Sequence, residues 1–119
     1  MGSLNGVRVA RVYDPAGPDD GTRVLVDRLW PRGLAKEAVV LDEWCRDVAP
    51  STELRTWYAH DPDRFDQFTE RYRAELRQPG QAAALGRLKE LSRAGTLTLL
   101  TATAAVPISH ATVLAQVLS

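Results

Sequence analysis

Two arginines on one short segment, Arg28 and Arg32, are the side chains best placed to bind an anion. They flank Trp30 and are followed directly by Gly33. A guanidinium presents a rigid fork of N–H donors that matches the oxygens of phosphate, carboxylate and sulfate. The competing interpretation is that Asp27 and nearby acids pair with these arginines, and the spacing alone leaves both interpretations open.

A second candidate group lies around the start of the last predicted helix. Pro107 would begin that helix, so its first free amides are expected at residues 108–109, where they would attract an anion. His110 lies in the first turn and could donate a proton or a hydrogen bond. Thr101 and Thr103 could add hydroxyl donors. The alternative is that His110 has a purely structural role.

No other established chemistry has its pattern in this sequence. The two histidines are far apart and the carboxylates are scattered, so no metal site is predicted. There is no glycine-rich phosphate loop, nucleophile elbow or dinucleotide fingerprint, so no cofactor is predicted and no catalytic residue is identified. His60 is interpreted as a turn residue, and Cys45 as a packed thiol.

The strands that would position these residues are short. Residues 7–13 alternate and are rich in β-branched side chains, and residues 22–27 form a second such run. Residues 95–119 contain no charged side chain, which predicts a strand over 96–101 that is buried on both faces, followed by a packed helix. A membrane span is not expected, because threonines, a proline and a histidine interrupt this stretch.

The predicted helices lie mostly between the second and third strands. Ser51 is a favourable N-cap, and Asp61 followed by Pro62 is a stronger start signal. Gly95 is placed as the C-terminal cap of the helix before the third strand. The predicted helical segments are residues 42–47, a short piece after Ser51, residues 62–76, residues 81–94 and residues 107–118, with a break at residues 79–80.

This order of elements predicts a single three-layer α/β/α domain over residues 1–119, with a small, mostly parallel sheet. Ligands of such open sheets bind outside the carboxyl ends of the strands. The loop at residues 27–33 and the loop at residues 102–106 each follow a predicted strand. If the two strands are parallel neighbours, both loops open on the same edge.

Overall charge and composition narrow the range of partners. The 119 residues carry 15 basic and 15 acidic side chains, so no bulk positive charge indicates nucleic acid or an acidic membrane. Arg71, Arg73 and Arg77 are interspersed with Glu70 and Glu75, a pattern typical of a solvated helix. We expect a cytoplasmic protein that does not bind membranes or nucleic acid.

Several runs of this sequence resemble the domain-of-unknown-function 488 family, in its short YeaO-like branch. The runs are VYDP at residues 12–15, DGTRVLVDRLWPRG at residues 20–33, APS at residues 49–51 with ELR at residues 53–55, and HDP at residues 60–62 with RF at residues 64–65. The resemblance covers nearly the whole chain. It implies a small α/β/α fold and the location of a site, but no reaction, because the family's activity is not established.

The loop before the last helix departs from that family. YeaO-like sequences follow the last strand with Tyr-Ala-Ala, a basic residue, acidic residues and then His-Asn, whereas residues 101–109 here read TATAAVPIS. His110 falls one position after the asparagine equivalent. General acid–base catalysis by this loop would therefore be disabled. The segment at residues 28–33 that carries Arg28 and Arg32, here called the arginine segment, is intact.

Two hypotheses about function follow. The first is that the protein binds a small anionic ligand, a phosphate or a carboxylate, in a cleft between residues 28–33 and the N-terminus of the last helix, with catalysis left open. Its ligand-binding residues would be Arg28, Trp30, Arg32, Gly33, Thr101, Thr103 and His110. The alternative is a homo-oligomeric or protein-interaction module without small-molecule chemistry, in which the uncharged C-terminal segment forms an exposed apolar face.

Overall fold

The computed structural model describes residues 6–119, which form a four-stranded sheet with helices packed against it. The strands are β1 (Val7–Arg11), β2 (Thr22–Leu25), β3 (Glu43–Trp44) and β4 (Leu97–Thr101). Their spatial order is β1-β4-β2-β3, and every neighbouring pair is parallel. The predicted α/β fold with a small, mostly parallel sheet is confirmed. Residues 1–5 of the predicted domain lie outside the described residues.

Strand β4 lies inside the sheet, and all five of its residues are buried. Leu97 is aligned with Val7 of β1 on one side and with Thr22 of β2 on the other. A strand covered on both faces and paired at both edges leaves no position at which a charged side chain could reach water. This burial explains why β4 itself has no charged residue.

The four α-helices of residues 6–119 pack on one face of the sheet. They are α1 (Thr52–Tyr58), α2 (Phe65–Glu75), α3 (Pro79–Ala94) and α4 (His110–Leu118). Their buried side chains form one apolar cluster with Val24, Leu97 and Leu99 of the strands. The helical residues of this cluster include Leu54, Tyr58, Phe68, Tyr72, Leu85, Leu88, Ala111 and Leu114. No helix in the described part of the chain is long and apolar enough to cross a membrane.

Both predicted helix starts in the middle of the chain are confirmed. The Ser51 hydroxyl accepts a hydrogen bond from the Leu54 amide at 3.1 Å, which caps α1. The Asp61 carboxylate accepts one from the Asp63 amide at 3.0 Å. Pro62 then begins a 3-10 turn (Pro62–Arg64) that leads directly into α2.

The prediction of a short helix over residues 42–47 is wrong. Leu25 and Trp44 are paired residues of β2 and β3, and the Cys45 amide donates to the Leu25 carbonyl at 2.8 Å. Only Arg46–Val48 form a helical turn, of the 3-10 type. The free edge of β2 offers the chain backbone partners that no local helix pattern reveals, and strand pairing overrides local preference there.

The boundaries of α3 also differ from the prediction. The helix begins at Pro79 rather than after residues 79–80, because a proline in the first helical position loses no hydrogen bond. Gly95 follows its last residue, as predicted, but with a φ of 169°, which is ordinary extended backbone. The chain therefore passes directly from α3 into β4 without a left-handed cap.

The second face of the sheet is covered by residues 28–41. Their apolar side chains pack against Leu25 and Leu100 and include Trp30, Leu34, Val39 and Leu41. Within this layer only Lys36–Ala38 are helical, as a 3-10 turn. Trp30 meets the ring of Trp44 edge to face at 5.4 Å, and its indole N–H donates to the Leu34 carbonyl at 2.7 Å. The arginine segment is thereby anchored to the sheet.

Candidate functional site

A cavity of about 370 Å³ opens at the carboxyl ends of β2 and β4. These strands are parallel neighbours, so the loops that follow them leave the sheet on the same edge. Both loops can therefore contribute side chains to one site. The end of α1 and the start of α4 close the remaining sides. The cavity is lined by Asp27, Arg28, Leu29, Pro50, Arg55, Thr56, Tyr58, His60, Phe68, Thr101, Ala102, Thr103, Ser109 and His110.

Asp27 joins the two loops at the base of this cavity. One carboxylate oxygen accepts a hydrogen bond from the Thr101 hydroxyl at 2.8 Å, and the other accepts one from the Ala102 amide at 2.8 Å. Because Thr101 ends β4 and Asp27 follows β2, the carboxylate fixes the distance between the two strand ends. Hydrogen bonds to an ionised acceptor are stronger than those between neutral groups.

His110, the first residue of α4, is anchored to the same strand end. Its Nε2 lies 2.9 Å from the Val26 carbonyl oxygen and 3.3 Å from a carboxylate oxygen of Asp27. Both neighbours are acceptors, so Nε2 carries the proton and donates. Burial lowers the pKa of His110 from its usual 6.5, and the Asp27 carboxylate opposes this shift only in part. The imidazole is therefore neutral near pH 7.

Two arginines line the cavity, one of them unforeseen. Arg28 donates from Nε to the Pro50 carbonyl at 3.2 Å and from Nη2 to the Ala49 carbonyl at 3.1 Å, while its Nη1 has no partner among residues 6–119. The half-buried Arg55 of α1 makes no side-chain hydrogen bond within those residues. Neither arginine forms a salt bridge with a described carboxylate.

One wall of the cavity is a strained turn after α1. Ala59 and His60 both have left-handed backbone, with φ of 48° and 56°. Two consecutive non-glycine residues in this region cost on the order of 1–3 kcal/mol each. Tyr58, just before the turn, donates its hydroxyl hydrogen to the Ile108 carbonyl at 2.7 Å and so ties α1 to the loop before α4. The turn places His60 on the cavity.

The predicted binding residues are divided by the structure. Arg28, Thr101, Thr103 and His110 line the cavity. The other three do not: the ring of Trp30 packs against the sheet, and Arg32 and Gly33 are exposed on the loop. The structure thus brings together the four predicted residues that lie near the ends of β2 and β4 and the start of α4. The remainder of the arginine segment, residues 30–33, lies outside the cavity.

The expected free amides at residues 108–109 are not available, and that prediction is wrong. The Ile108 amide donates to the Ala105 carbonyl at 3.1 Å, and the Ser109 amide donates to the Val106 carbonyl at 3.0 Å. These bonds close a 3-10 turn (Val106–Ile108) before α4, with Ser109 as the N-cap. Pro107 therefore lies in a separate turn that begins at Val106, and the helix starts three residues after Pro107.

Sequence reasoning missed Arg55, Tyr58 and Ser109 as cavity residues, treated Asp27 only as an ion-pair partner, and assigned His60 to a turn. Asp27 had a usable signal, because a carboxylate at the end of a predicted strand lies at the ligand-binding edge. Arg55 had only its place in a run that resembles the family, since its position on the cavity depends on how α1 packs across the sheet. Within residues 6–119, no group of three or more acidic, histidine or cysteine side chains is arranged to hold a metal ion.

A second, more open groove of about 690 Å³ lies at the opposite end of the sheet. It is bordered by Gly6 and Thr96, by Lys89 and Arg93 of α3, and by the chain end at Ser119. It is therefore at the amino ends of the strands, away from the edge where open α/β sheets bind ligands. We regard the cavity at the carboxyl ends as the candidate site.

Comparison with known proteins places the chain in a family. A sequence model described as the inactive DUF488-N3 subclade matches residues 6–119. An uncharacterised protein of Mycobacterium tuberculosis is 54% identical over 113 residues, which are 95% of this chain and 93% of that protein. The uncharacterised protein YeaO of Escherichia coli is 44% identical over 110 residues, 92% of this chain and 94% of that protein. No solved structure matched the chain.

These matches confirm the resemblance that the sequence motifs indicated. They extend through the arginine segment, the helices and the C-terminal strand and helix, and they cover more than nine-tenths of each relative. The chain belongs to the DUF488 family, in the subclade described as the inactive DUF488-N3 subclade.

Proposed function

We propose that this protein binds a small anion in the cavity at the carboxyl ends of β2 and β4. The observation that carries the proposal is the pair of arginines, Arg28 and Arg55, that line one cavity without a carboxylate partner among residues 6–119. A guanidinium in a partly enclosed site attracts an anion more strongly than one in bulk water, because the local dielectric constant is lower.

The charge of the cavity supports the proposal. Asp27 contributes one negative charge, but both of its oxygens already accept hydrogen bonds from Thr101 and Ala102. The partly buried His110 is neutral near pH 7, because burial lowers its pKa. Arg28 and Arg55 therefore leave a net positive charge in the cavity, and the N–H groups not used by the Ala49 and Pro50 carbonyls can reach a ligand.

Binding without a catalytic step is the function we propose. The loop between β4 and α4, residues 102–109, holds no charged side chain that could act as a general acid or base. The family description names an inactive subclade, which also favours binding over catalysis. The neutral His110 donates from Nε2 to the end of β2, so its visible role is to fix the start of α4.

The alternative of an interaction module depended on the uncharged C-terminal segment. Part of that segment lies in the core: all of β4 is buried, as are Ala111, Val113 and Leu114 of α4. The large hydrophobic residues that are exposed in the described chain, Tyr13, Leu29 and Val40, all lie outside the segment, so no observation on the described residues favours an apolar docking face there. We therefore propose anion binding.

Calorimetric titration with inorganic phosphate tests the proposal. We expect binding by the wild type, and binding at least about tenfold weaker by Arg55→Gln, because one charged hydrogen-bond donor is removed. Arg55 makes no side-chain hydrogen bond within residues 6–119, so this variant should fold normally, which circular dichroism would check. Arg32→Gln is the matched control, since Arg32 lies outside the cavity.

Two results would overturn the proposal. One is the absence of phosphate binding by the wild type at millimolar concentration. The other is equal affinity of the wild type and Arg55→Gln, which would show that the anion binds elsewhere. If Arg55→Gln binds like the wild type and only Arg32→Gln binds more weakly, the anion site lies at the exposed end of the arginine segment, outside the cavity.

A further inference from the structure

We propose that the ligand of this cavity is an organic anion, in which an acidic group is joined to an apolar body, rather than an inorganic ion. This inference depends on the proposed function, because it assigns the ligand class to the same site. It is carried by the apolar part of the cavity wall, which the arginines do not explain.

The apolar wall begins with Leu29, at the cavity mouth. Leu29 is 65% exposed, the largest value among the exposed large hydrophobic residues of the described chain. Its neighbours Arg28 and Trp30 are both held by hydrogen bonds to carbonyl oxygens, so the segment presents this side chain in a fixed place. An apolar side chain exposed beside a cavity gains free energy when a ligand covers it.

The wall continues inward through three ring-bearing residues. Pro50 follows the carbonyl of Ala49 that holds Arg28, and Tyr58 and Phe68 stack with ring centroids 4.1 Å apart. All three line the cavity. Hydrophobic and aromatic walls with a few converging polar groups are the usual lining of sites for organic ligands. The three rings are themselves almost wholly buried and form the inner wall, so the apolar surface that an inorganic anion would leave in contact with water is that of Leu29.

The size of the cavity limits the ligand. Its volume of about 370 Å³ is near the lower end of the range for small-molecule sites, about 300–1,000 Å³. A single aromatic or heterocyclic ring that carries one phosphate or carboxylate fits this space. A dinucleotide or a polymer would extend beyond it.

Titration with phenyl phosphate and inorganic phosphate, side by side at pH 7.5, tests the inference. We expect phenyl phosphate to bind the wild type about tenfold more tightly, because its ring buries apolar surface against the wall. Leu29→Ser should remove most of this gain and leave inorganic phosphate binding unchanged. Val40→Ser, which changes an exposed residue outside the cavity, is the matched control and should bind both probes like the wild type.

The possible results separate the two proposals. If inorganic phosphate binds in an Arg55-dependent way and phenyl phosphate binds no more tightly, the anion site stands and the organic ligand is excluded. The same exclusion follows if Leu29→Ser weakens both probes equally. If neither probe binds the wild type, both proposals fall.

Discussion

At the scale of single residues, Asp27 has the most connections in the candidate site. It accepts hydrogen bonds from Thr101 and Ala102 at the end of β4, and it lies 3.3 Å from the imidazole of His110 at the start of α4. The ends of β2 and β4 and the start of α4 thus meet at one carboxylate. Its role is to hold the cavity in shape, and the arginines would meet the ligand.

Replacing Asp27 with asparagine should therefore destabilise the fold. An amide keeps one acceptor but presents N–H donors to the Thr101 hydroxyl or the Ala102 amide, and we expect a loss of about 1–3 kcal/mol in the free energy of unfolding. Urea denaturation would measure it. Asp47→Asn, at an exposed position, should stay within about 0.5 kcal/mol of the wild type. Equal stability of both variants would contradict the role assigned to Asp27.

The partly buried His110 predicts a pH dependence of stability. Because burial lowers its pKa in the folded protein, the unfolded chain takes up a proton more readily as the pH falls below about 6.5. The free energy of unfolding should therefore decrease from pH 7.5 to pH 5, and His110→Gln should reduce this slope. Chemical denaturation at several pH values from 7.5 to 5 measures the free energy of unfolding. Identical slopes for the wild type and His110→Gln would contradict the assignment of this pH dependence to His110.

At the residue scale, one general rule about sheets predicts which side chains come together. Arg28, Thr101 and Thr103 are predicted as a group because ligands bind beyond the carboxyl ends of parallel strands, and the structure places all three on one cavity. Arg55 was missed because nothing in its neighbourhood indicates which way α1 crosses the sheet. Trp30 was placed on the cavity because an aromatic ring suits either a pocket wall or a core, and tertiary packing put it in the core.

At the scale of elements, the helix starts were predictable from the sequence and the edge strand β3 was not. Ser51 and Asp61 carry their own capping chemistry, so local sequence is sufficient. Ser51 also donates to Glu75 of α2 at 2.6 Å, which links two helices at one cap. Strand β3, in contrast, exists only because β2 has an open edge, a fact that residues 42–47 do not encode.

The start of β2 offers a test at this scale. Gly21 has a φ of 62°, and a Cβ there would lie 2.2 Å from the carbonyl oxygen of Thr96, the residue before β4. Gly21→Ala should therefore lose about 3 kcal/mol or more of stability, from backbone strain and from a clash with main chain. Thermal or urea denaturation would measure this loss.

Gly33 provides the matched comparison for that variant. It also has a left-handed φ, 78°, but a Cβ there would meet no atom within 4 Å. Gly33→Ala should cost only the conformational penalty, about 1 kcal/mol. If both alanine variants lost the same stability, close contact between Gly21 and the start of β4 would not be the constraint at that position.

At the scale of the whole molecule, the two faces of the sheet have different roles. The face with α1 to α4 holds the large apolar cluster, and the face covered by residues 28–41 is a smaller cluster around Leu25 and Leu100. The segment that begins at Arg28 passes from the cavity to this second face, so it serves both the site and the core. That double use explains why only part of the arginine segment reaches the cavity.

An NMR titration of the ¹⁵N-labelled protein with inorganic phosphate locates the anion site. If the anion binds at the carboxyl ends of β2 and β4, the largest amide shifts will fall on residues 27–29, 101–103 and 109–110, which meet at the cavity. Amides of residues 92–96, at the opposite groove, should stay in place. Shifts concentrated at that groove, or no saturable shifts at all, would rule out an anion site in the cavity.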